Sequence, residues 1–293
     1  MAKPLRTLLG DYPGTAALKS GAMSSTSVSF DFVQATPPNS LFQRVVRTSE
    51  FDIAELAIAT FLSAKALDKP LVLLPFTVLG RHQHTTLAYN PTHRDLQPSD
   101  LEGCRVGIRA WSVTTAMWVR GILMHDHGIN LDAVEWVTFE EPHVVECVDP
   151  ANAVRAPAGK NIVDMLVAGE LDAAVLGALP ASDSPLRPMF VGAEAAGRDW
   201  CRRRGAVPVN HLVVANAELA RTEPDTIREV YRLLAASRAA SHEIVEQGLD
   251  LLPMGVEALA PSLELAIRYA GEQGLLARPL TVDELFDETT RLL

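Results

Sequence analysis

The chain has 293 residues, 48% of them hydrophobic and 21% charged, with a formal net charge of −10. That is the composition of a globular protein long enough for two lobes of ordinary size. The acidic balance, with no basic run, excludes nucleic acid and anionic membrane as expected partners, and no apolar window reaches the length of a membrane span, because Lys65, Asp68 and Lys69 interrupt Phe61–Phe76.

Reading in order, MAKPLRTLLGDYPGT lacks the apolar core and cleavage site of a secretory leader. Leu5–Leu9 reads as a strand, closed by Gly10–Asp11 and the turn Tyr12–Pro13–Gly14, with Thr15–Lys19 opening a short helix. Val28–Phe32 is a second strand, and the Pro37–Ser40 cluster caps a helix over Leu41–Thr48. A strand-like step at Phe51–Ile53 leads into Glu55–Leu67, where Leu56, Ala59, Leu62 and Ala66 recur at helical spacing. Leu71–Pro75 and Thr85–Tyr89 read as strands, separated by the polar Arg81–His82–Gln83–His84.

The polar Pro91–Pro98 suits a crossover between lobes. Leu101–Leu123 then carries a β-branched strand at Arg105–Ile108, a turn at Trp111–Ser112, and an apolar helix with Ser112, Thr114 and Thr115 at its mouth. Such a helix start is an anion site in principle, because its first N–H groups lack intrahelical partners and the helix dipole favours negative charge there. The same residues also serve as ordinary N-caps. Further strands are expected at Ala133–Thr138, Leu171–Leu176 and Val207–Ala215, and helices at Asn161–Ala168, Thr226–Gln247, Val256–Gln273 and Val282–Arg291, with Arg198–Gly205 as a basic surface helix or loop.

Strands alternating with helices argue for an α/β protein with parallel sheets. The helical C-terminal third must pack on an earlier sheet. The pattern gives two lobes, 1–90 with 208–293 and 91–207, with chain crossovers near Tyr89–Asp100 and Val207–Ala215.

Several segments resemble the 4,5-dihydroxyphthalate decarboxylases: RTSEFDIAELAIATFLSAK, PFTVLGRHQHTTLAYN, DLEGCRVGIRAWSVTTAMWVRGIL, LVAGELDAAV, VPVNHLVVAN and PMGVEALAPSLELAIRYAGEQGL, in the family's order from about Phe42 to Phe286. The resemblance implies a type II periplasmic-binding-protein-like fold, two lobes joined by two crossover strands with a ligand cleft between them. It also implies a carboxy-lyase that works without a cofactor. The chain departs from the family at Gln83 and Gly80, where arginines are usual, with Arg81 one step away; at Met254, where the family has tyrosine; and at Ser112–Val113.

Cofactor-free decarboxylation of an electron-rich aromatic acid protonates the ring carbon that bears the leaving carboxylate, and CO2 then departs. The protein must supply a proton donor, contacts for the carboxylates and a dry cavity. Histidine is the natural donor. His84 matches the family histidine and precedes a strand, and His211 lies in the apolar return strand, where it must find a partner. Glu55, within the FDIAEL match, either orients a histidine or caps a helix dipole. Candidate substrate contacts are Arg81, Trp111, Ser112, Thr114, Thr115 and Arg120, the last equally suited to a surface salt bridge. His82 reads as a solvated loop residue. His-x-His on a strand suits a metal if His82, His84, His211 and Glu55 converge, but no metal or other cofactor is expected.

Cys104, Cys147 and Cys201 are isolated, odd in number and free of CxxC spacing, which points to a reducing compartment. Either the protein is cytoplasmic or a leader has been removed, and the cytoplasm is the favoured expectation. The expected partner is a small-molecule carboxylate; assembly with further copies of the chain stays open. The competing reading is a non-catalytic small-anion binding protein of the same fold, and a third is a related enzyme acting on another carboxylic acid.

Overall fold

The computed structural model describes residues 4–179, 184–241 and 248–293. Among them the strands are β1 (Leu5–Leu8), β2 (Phe30–Phe32), β3 (Ile53–Ala57), β4 (Leu71–Gly80), β5 (Leu87–Tyr89), β6 (Arg105–Ile108), β7 (Glu135–Thr138), β8 (Ala153–Arg155), β9 (Ala173–Val175), β10 (Arg187–Pro188) and β11 (Val209–Asn216). The helices are α1 (Pro13–Lys19), α2 (Phe42–Thr48), α3 (Ile58–Ala66), α4 (Thr114–His127), α5 (Ile162–Val167), α6 (Ala193–Arg204), α7 (Ala217–Thr222), α8 (Pro224–Ala240) and α9 (Val256–Glu272).

The chain divides into two compact units. The first comprises Met1–Arg81, Val209–Gly271 and Leu275–Leu293, and the second His82–Pro208 with Glu272–Gly274. The first unit is built on a five-stranded sheet in the order β2-β1-β3-β11-β4. β1 runs parallel to β2 and β3, while β11 runs antiparallel to both its neighbours. Every residue of β3 is buried, as befits a central strand. Pro75 is accommodated because β4 is an edge strand. Leu5, Leu18, Ile53, Leu74, Val213, Ile227 and Leu233 share one core, so α1 and α8 cover this sheet.

The second unit has a six-stranded sheet in the order β10-β5-β9-β6-β7-β8. β6 is parallel to β7 and β9, and β5 is antiparallel to β9 and β10. Gly107 of β6 is required by packing: a Cβ there would stand 2.7 Å from Leu171 Cδ1. Asn161 caps α5 by accepting from the N–H groups of Val163 and Asp164.

Several elements differ from the sequence expectation. The strand expected only at Phe51–Ile53 runs to Ala57, so the helix begins at Ile58 rather than Glu55. Pairing on both sides decides this against the helical spacing of the apolar residues. Thr85 belongs to a 3₁₀ turn, Gln83–Thr85, and the strand that follows, β5, pairs with β9 and β10. Val282–Arg291 forms two 3₁₀ turns instead of a helix. Arg198–Gly205 is the end of α6. α8 ends at Ala240, and the part of the expected helix over 242–247 lies outside the described residues.

Candidate active site

In the first unit, three backbone and side-chain groups converge on Glu55, whose residue exposure is 0%. The loop after β1 supplies two of them. The Gly10 N–H donates to Glu55 Oε2 at 2.8 Å, and the Tyr12 hydroxyl donates to Oε1 at 2.6 Å. Gly10 permits the approach because a Cβ would stand 2.6 Å from the Tyr12 ring and 2.9 Å from Oε2. Thr15 fixes the loop: its hydroxyl donates to the Gly10 carbonyl at 2.8 Å and accepts from the Tyr12 N–H at 3.1 Å. Burial raises the Tyr12 phenol above its ordinary range, and the negative charge of Glu55 raises it further.

The third donor is His211, whose Nδ1 lies 2.6 Å from Glu55 Oε1. β11 pairs regularly with β3, setting His211 opposite Ala57. Its pairing with β4 shifts register on both sides of His211. Such irregularities re-aim side chains, and His211 is half-buried while Leu212, Val213 and Val214 are fully buried. Phe42 of α2 presses against the imidazole edge-on, ring centroids 5.1 Å apart. Nδ1 is thus anchored on a buried carboxylate. Glu55 sits inside β3 rather than at a helix start, and it is hydrogen-bonded to a histidine.

The second unit contains the other sequence candidates. Thr114 opens α4, and the N-cap position itself is held by Val113, whose side chain cannot accept a hydrogen bond. Ser112, Thr114 and Thr115 are all buried. Trp111 is buried, and its indole N–H donates to the Gln273 carbonyl at 3.1 Å. Arg120 is wholly buried, not on the surface. Its guanidinium lies 3.6 Å from the centroid of the Trp111 ring, donates to the Trp111 carbonyl at 2.6 Å and to Gln273 Oε1 at 2.8 Å. Burial pushes its pKa down to about 9, so it stays cationic at neutral pH. Arg120 therefore braces the turn that leads into α4.

His84 and His82 point to different neighbours. His82 is buried, not solvated. It packs on α6, where a Cβ at Gly197 would meet it at 2.5 Å, and its Nδ1 lies 3.8 Å from the Cys201 thiol. Burial raises that thiol to about 12, which makes it a poor nucleophile. His84 borders a cavity of about 640 Å³ with His127, Asp126, Phe190 and Arg203. Its ring lies 4.7 Å from that of Phe190, and among the described residues Nδ1 has no hydrogen-bond partner. Burial, the leading cause, lowers its pKa to about 4. Gln83 is buried, with its amide donating to the Pro208 carbonyl at 3.4 Å. A side chain at Gly80 would run into the Leu251 carbonyl, so this backbone cannot hold the family's arginine there. Arg81 is half-buried after β4. Among the described residues, no three His, Cys, Asp or Glu side chains form a group that could hold a metal.

Gly10 and Tyr12 were not among the sequence candidates. They lie more than 40 positions from Glu55 along the chain. The one local signal was the Gly10–Asp11–Tyr12–Pro13–Gly14 turn closing the first strand.

No family model matches the chain. It is 26% identical over 199 residues to the 4,5-dihydroxyphthalate decarboxylase of Comamonas testosteroni, a match covering 64% of this chain and 60% of that protein. It is 27% identical over 210 residues to the 4,5-dihydroxyphthalate decarboxylase of Pseudomonas putida, covering 68% of this chain and 81% of the relative. The match thus spans about three fifths of the length of the Comamonas relative. Among solved structures, the periplasmic aliphatic sulphonate binding protein SsuA from Escherichia coli is similar, with a TM-score of 0.62 at 14% identity over all of this chain and 94% of that one. That likeness shows a periplasmic-binding-protein-like α/β fold. No helix among the described residues is long and apolar enough to cross a membrane.

Proposed function

We propose that the chain is a decarboxylase of an aromatic dicarboxylic acid of the 4,5-dihydroxyphthalate type, with His211 as proton donor and Glu55 as the carboxylate that holds it. The observation that carries this reading is the 2.6 Å bond between His211 Nδ1 and a Glu55 side chain with no exposure to solvent. The similarity to two 4,5-dihydroxyphthalate decarboxylases supplies the substrate class.

The chemistry follows from the pair. With Nδ1–H donated to Glu55, the imidazolium presents its second proton on Nε2. That proton goes to the ring carbon bearing the carboxylate. The bond to the carboxylate then breaks, its electrons return to the ring, and CO2 leaves. The imidazole regains its proton from solvent, so the cycle balances without oxidant or reductant. Between the two histidine candidates the geometry favours His211. Among the described residues no carboxylate is hydrogen-bonded to His84, and burial holds it neutral near pH 7, which makes it a weak source of protons.

Carboxylate recognition is assigned, as a separate proposal, to the start of α4 with Ser112, Thr114 and Thr115. Support comes from the orientation of first-turn N–H groups at any helix start and from the burial of Ser112, Thr114 and Thr115 beside it. Trp111 and Arg120 act there by bracing the turn, and Arg81 is the remaining cationic candidate. The ligand is a small carboxylate rather than nucleic acid, in keeping with the acidic chain. The compartment is read as the cytoplasm, because Cys104, Cys147 and Cys201 are thiols rather than disulfides.

The test is incubation with 4,5-dihydroxyphthalate and a panel of aromatic acids while CO2 release and thermal shift are recorded. Turnover supports the enzyme. A thermal shift without turnover on any acid replaces it with the small-anion binding protein, and turnover on a different acid only makes it a related enzyme.

A further inference from the structure

Glu55 is a buried carboxylate whose two oxygens are served by three donors of different kinds. Among the described residues, the groups that face it are the Gly10 N–H and Tyr12 hydroxyl from the loop after β1 and the His211 imidazole from β11, with Phe42 of α2 closing on the imidazole. Asp11 is the other charge acting on the phenol, and it is itself paired with Lys19. The phenol and the imidazole bond the same oxygen, Oε1, each at 2.6 Å. This sharing has a consequence for proton transfer. When His211 gives up a proton, Glu55 stays fully buried, and among the described residues no cation is then hydrogen-bonded to it. An unsupported buried carboxylate would then retain or recapture the proton. A neutral donor already on Oε1, together with the Gly10 N–H on Oε2, stabilises the carboxylate through that moment.

We propose that Tyr12 is a positioning residue of the proton-transfer site: its hydroxyl shares Glu55 Oε1 with His211, and so moderates the hold of that carboxyl group on the imidazole N–H. This rests on the decarboxylase reading for its kinetic consequence and on the geometry alone for the coupling of Tyr12 to Glu55.

Two measurements separate these. In Tyr12→Phe the carboxylate loses one charge-assisted hydrogen bond, and its grip on the His211 proton tightens. For a proton donor, the rate falls at alkaline pH as the proton is lost. The alkaline limb of the kcat profile should therefore move to higher pH, with kcat at its plateau down about tenfold or more. KM should stay within about twofold, because the phenol does not bind substrate in this account. Independently, Glu55→Gln removes the negative charge beside the phenol. Tyrosinate absorbance should then show one phenol, among the four tyrosines of the chain, ionising at lower pH than in the unsubstituted protein. Adding Tyr12→Phe to Glu55→Gln should abolish that step. An alkaline limb that stays in place or moves to lower pH in Tyr12→Phe overturns the proposal. So does a tyrosinate curve that Glu55→Gln leaves unmoved. If no aromatic acid turns over, the decarboxylase reading fails by itself, and the tyrosinate curve still decides whether Tyr12 and Glu55 are coupled.

Discussion

Glu55 Oε1 accepts from both Tyr12 and His211, and the site depends on that atom. Replacing His211 with Asn keeps a polar side chain in the strand but removes the proposed proton donor. Activity should fall by about 10²- to 10⁴-fold, the usual contribution of a general acid, as read from kcat for CO2 release. Gly10→Ala tests the packing that allows the loop to reach the carboxylate. Its Cβ would stand 2.6 Å from Tyr12 and 2.9 Å from Glu55 Oε2, so destabilisation of about 1–3 kcal/mol is expected from overpacking, measured by urea denaturation. At this scale the sequence identified His211 and Glu55 as chemically able residues, since a histidine in an apolar strand requires a partner. Their mutual bond spans 156 positions, and no local pattern encodes such a contact. Tyr12 was hidden for the same reason.

The element that decides the site is β3. Helical spacing of Leu56, Ala59, Leu62 and Ala66 favoured a helix from Glu55, and it correctly marked α3. It misplaced the start by three residues, because Ile53–Ala57 is wholly buried between β1 and β11 and those pairings override local preference. The shift matters chemically, since a carboxylate at a helix start would face the helix dipole, whereas in the strand it meets His211. β11 was legible as a strand from its apolar run, but the register shifts around His211 were not, since they arise from pairing with β4. α4 was legible almost to its first residue. Arg120 was misjudged as a possible surface group because an arginine on an apolar helix gives no sign of what covers it. It is stacked on Trp111 and bonded to Gln273, a residue 153 positions away. Arg120→Ala should leave a cavity and strand the Trp111 carbonyl and Gln273 amide, costing about 3–5 kcal/mol. Denaturant titration reads that loss directly.

At the scale of the molecule, alternating strands and helices and the strandless C-terminal third were enough to anticipate two α/β units with the chain passing out and back. The residue types around Arg81–His84 suggested a single polar loop, yet burial sorts them: Gln83 and His82 pack inward and His84 borders a cavity. His84 also gives the second unit a pH dependence. Its pKa falls from the usual 6.5 to about 4 because burial disfavours the charged ring. The unfolded chain therefore binds a proton more readily than the folded one between these values. Stability supplied by the neutral ring is complete above about pH 6.5 and is lost as pH falls through 4, by up to about 3 kcal/mol. Urea denaturation at pH 7 and near pH 4 should show this slope, and His84→Asn should flatten it.

The central claim is that the Glu55–His211 pair drives decarboxylation. The most direct measurement is CO2 release from 4,5-dihydroxyphthalate by the unsubstituted protein, His211→Asn and His84→Asn, each verified as folded by circular dichroism. The account predicts turnover by the unsubstituted protein, loss of at least about 10²-fold in His211→Asn, and near-normal turnover in His84→Asn. Undiminished turnover in His211→Asn, or its collapse in His84→Asn alone, would contradict it.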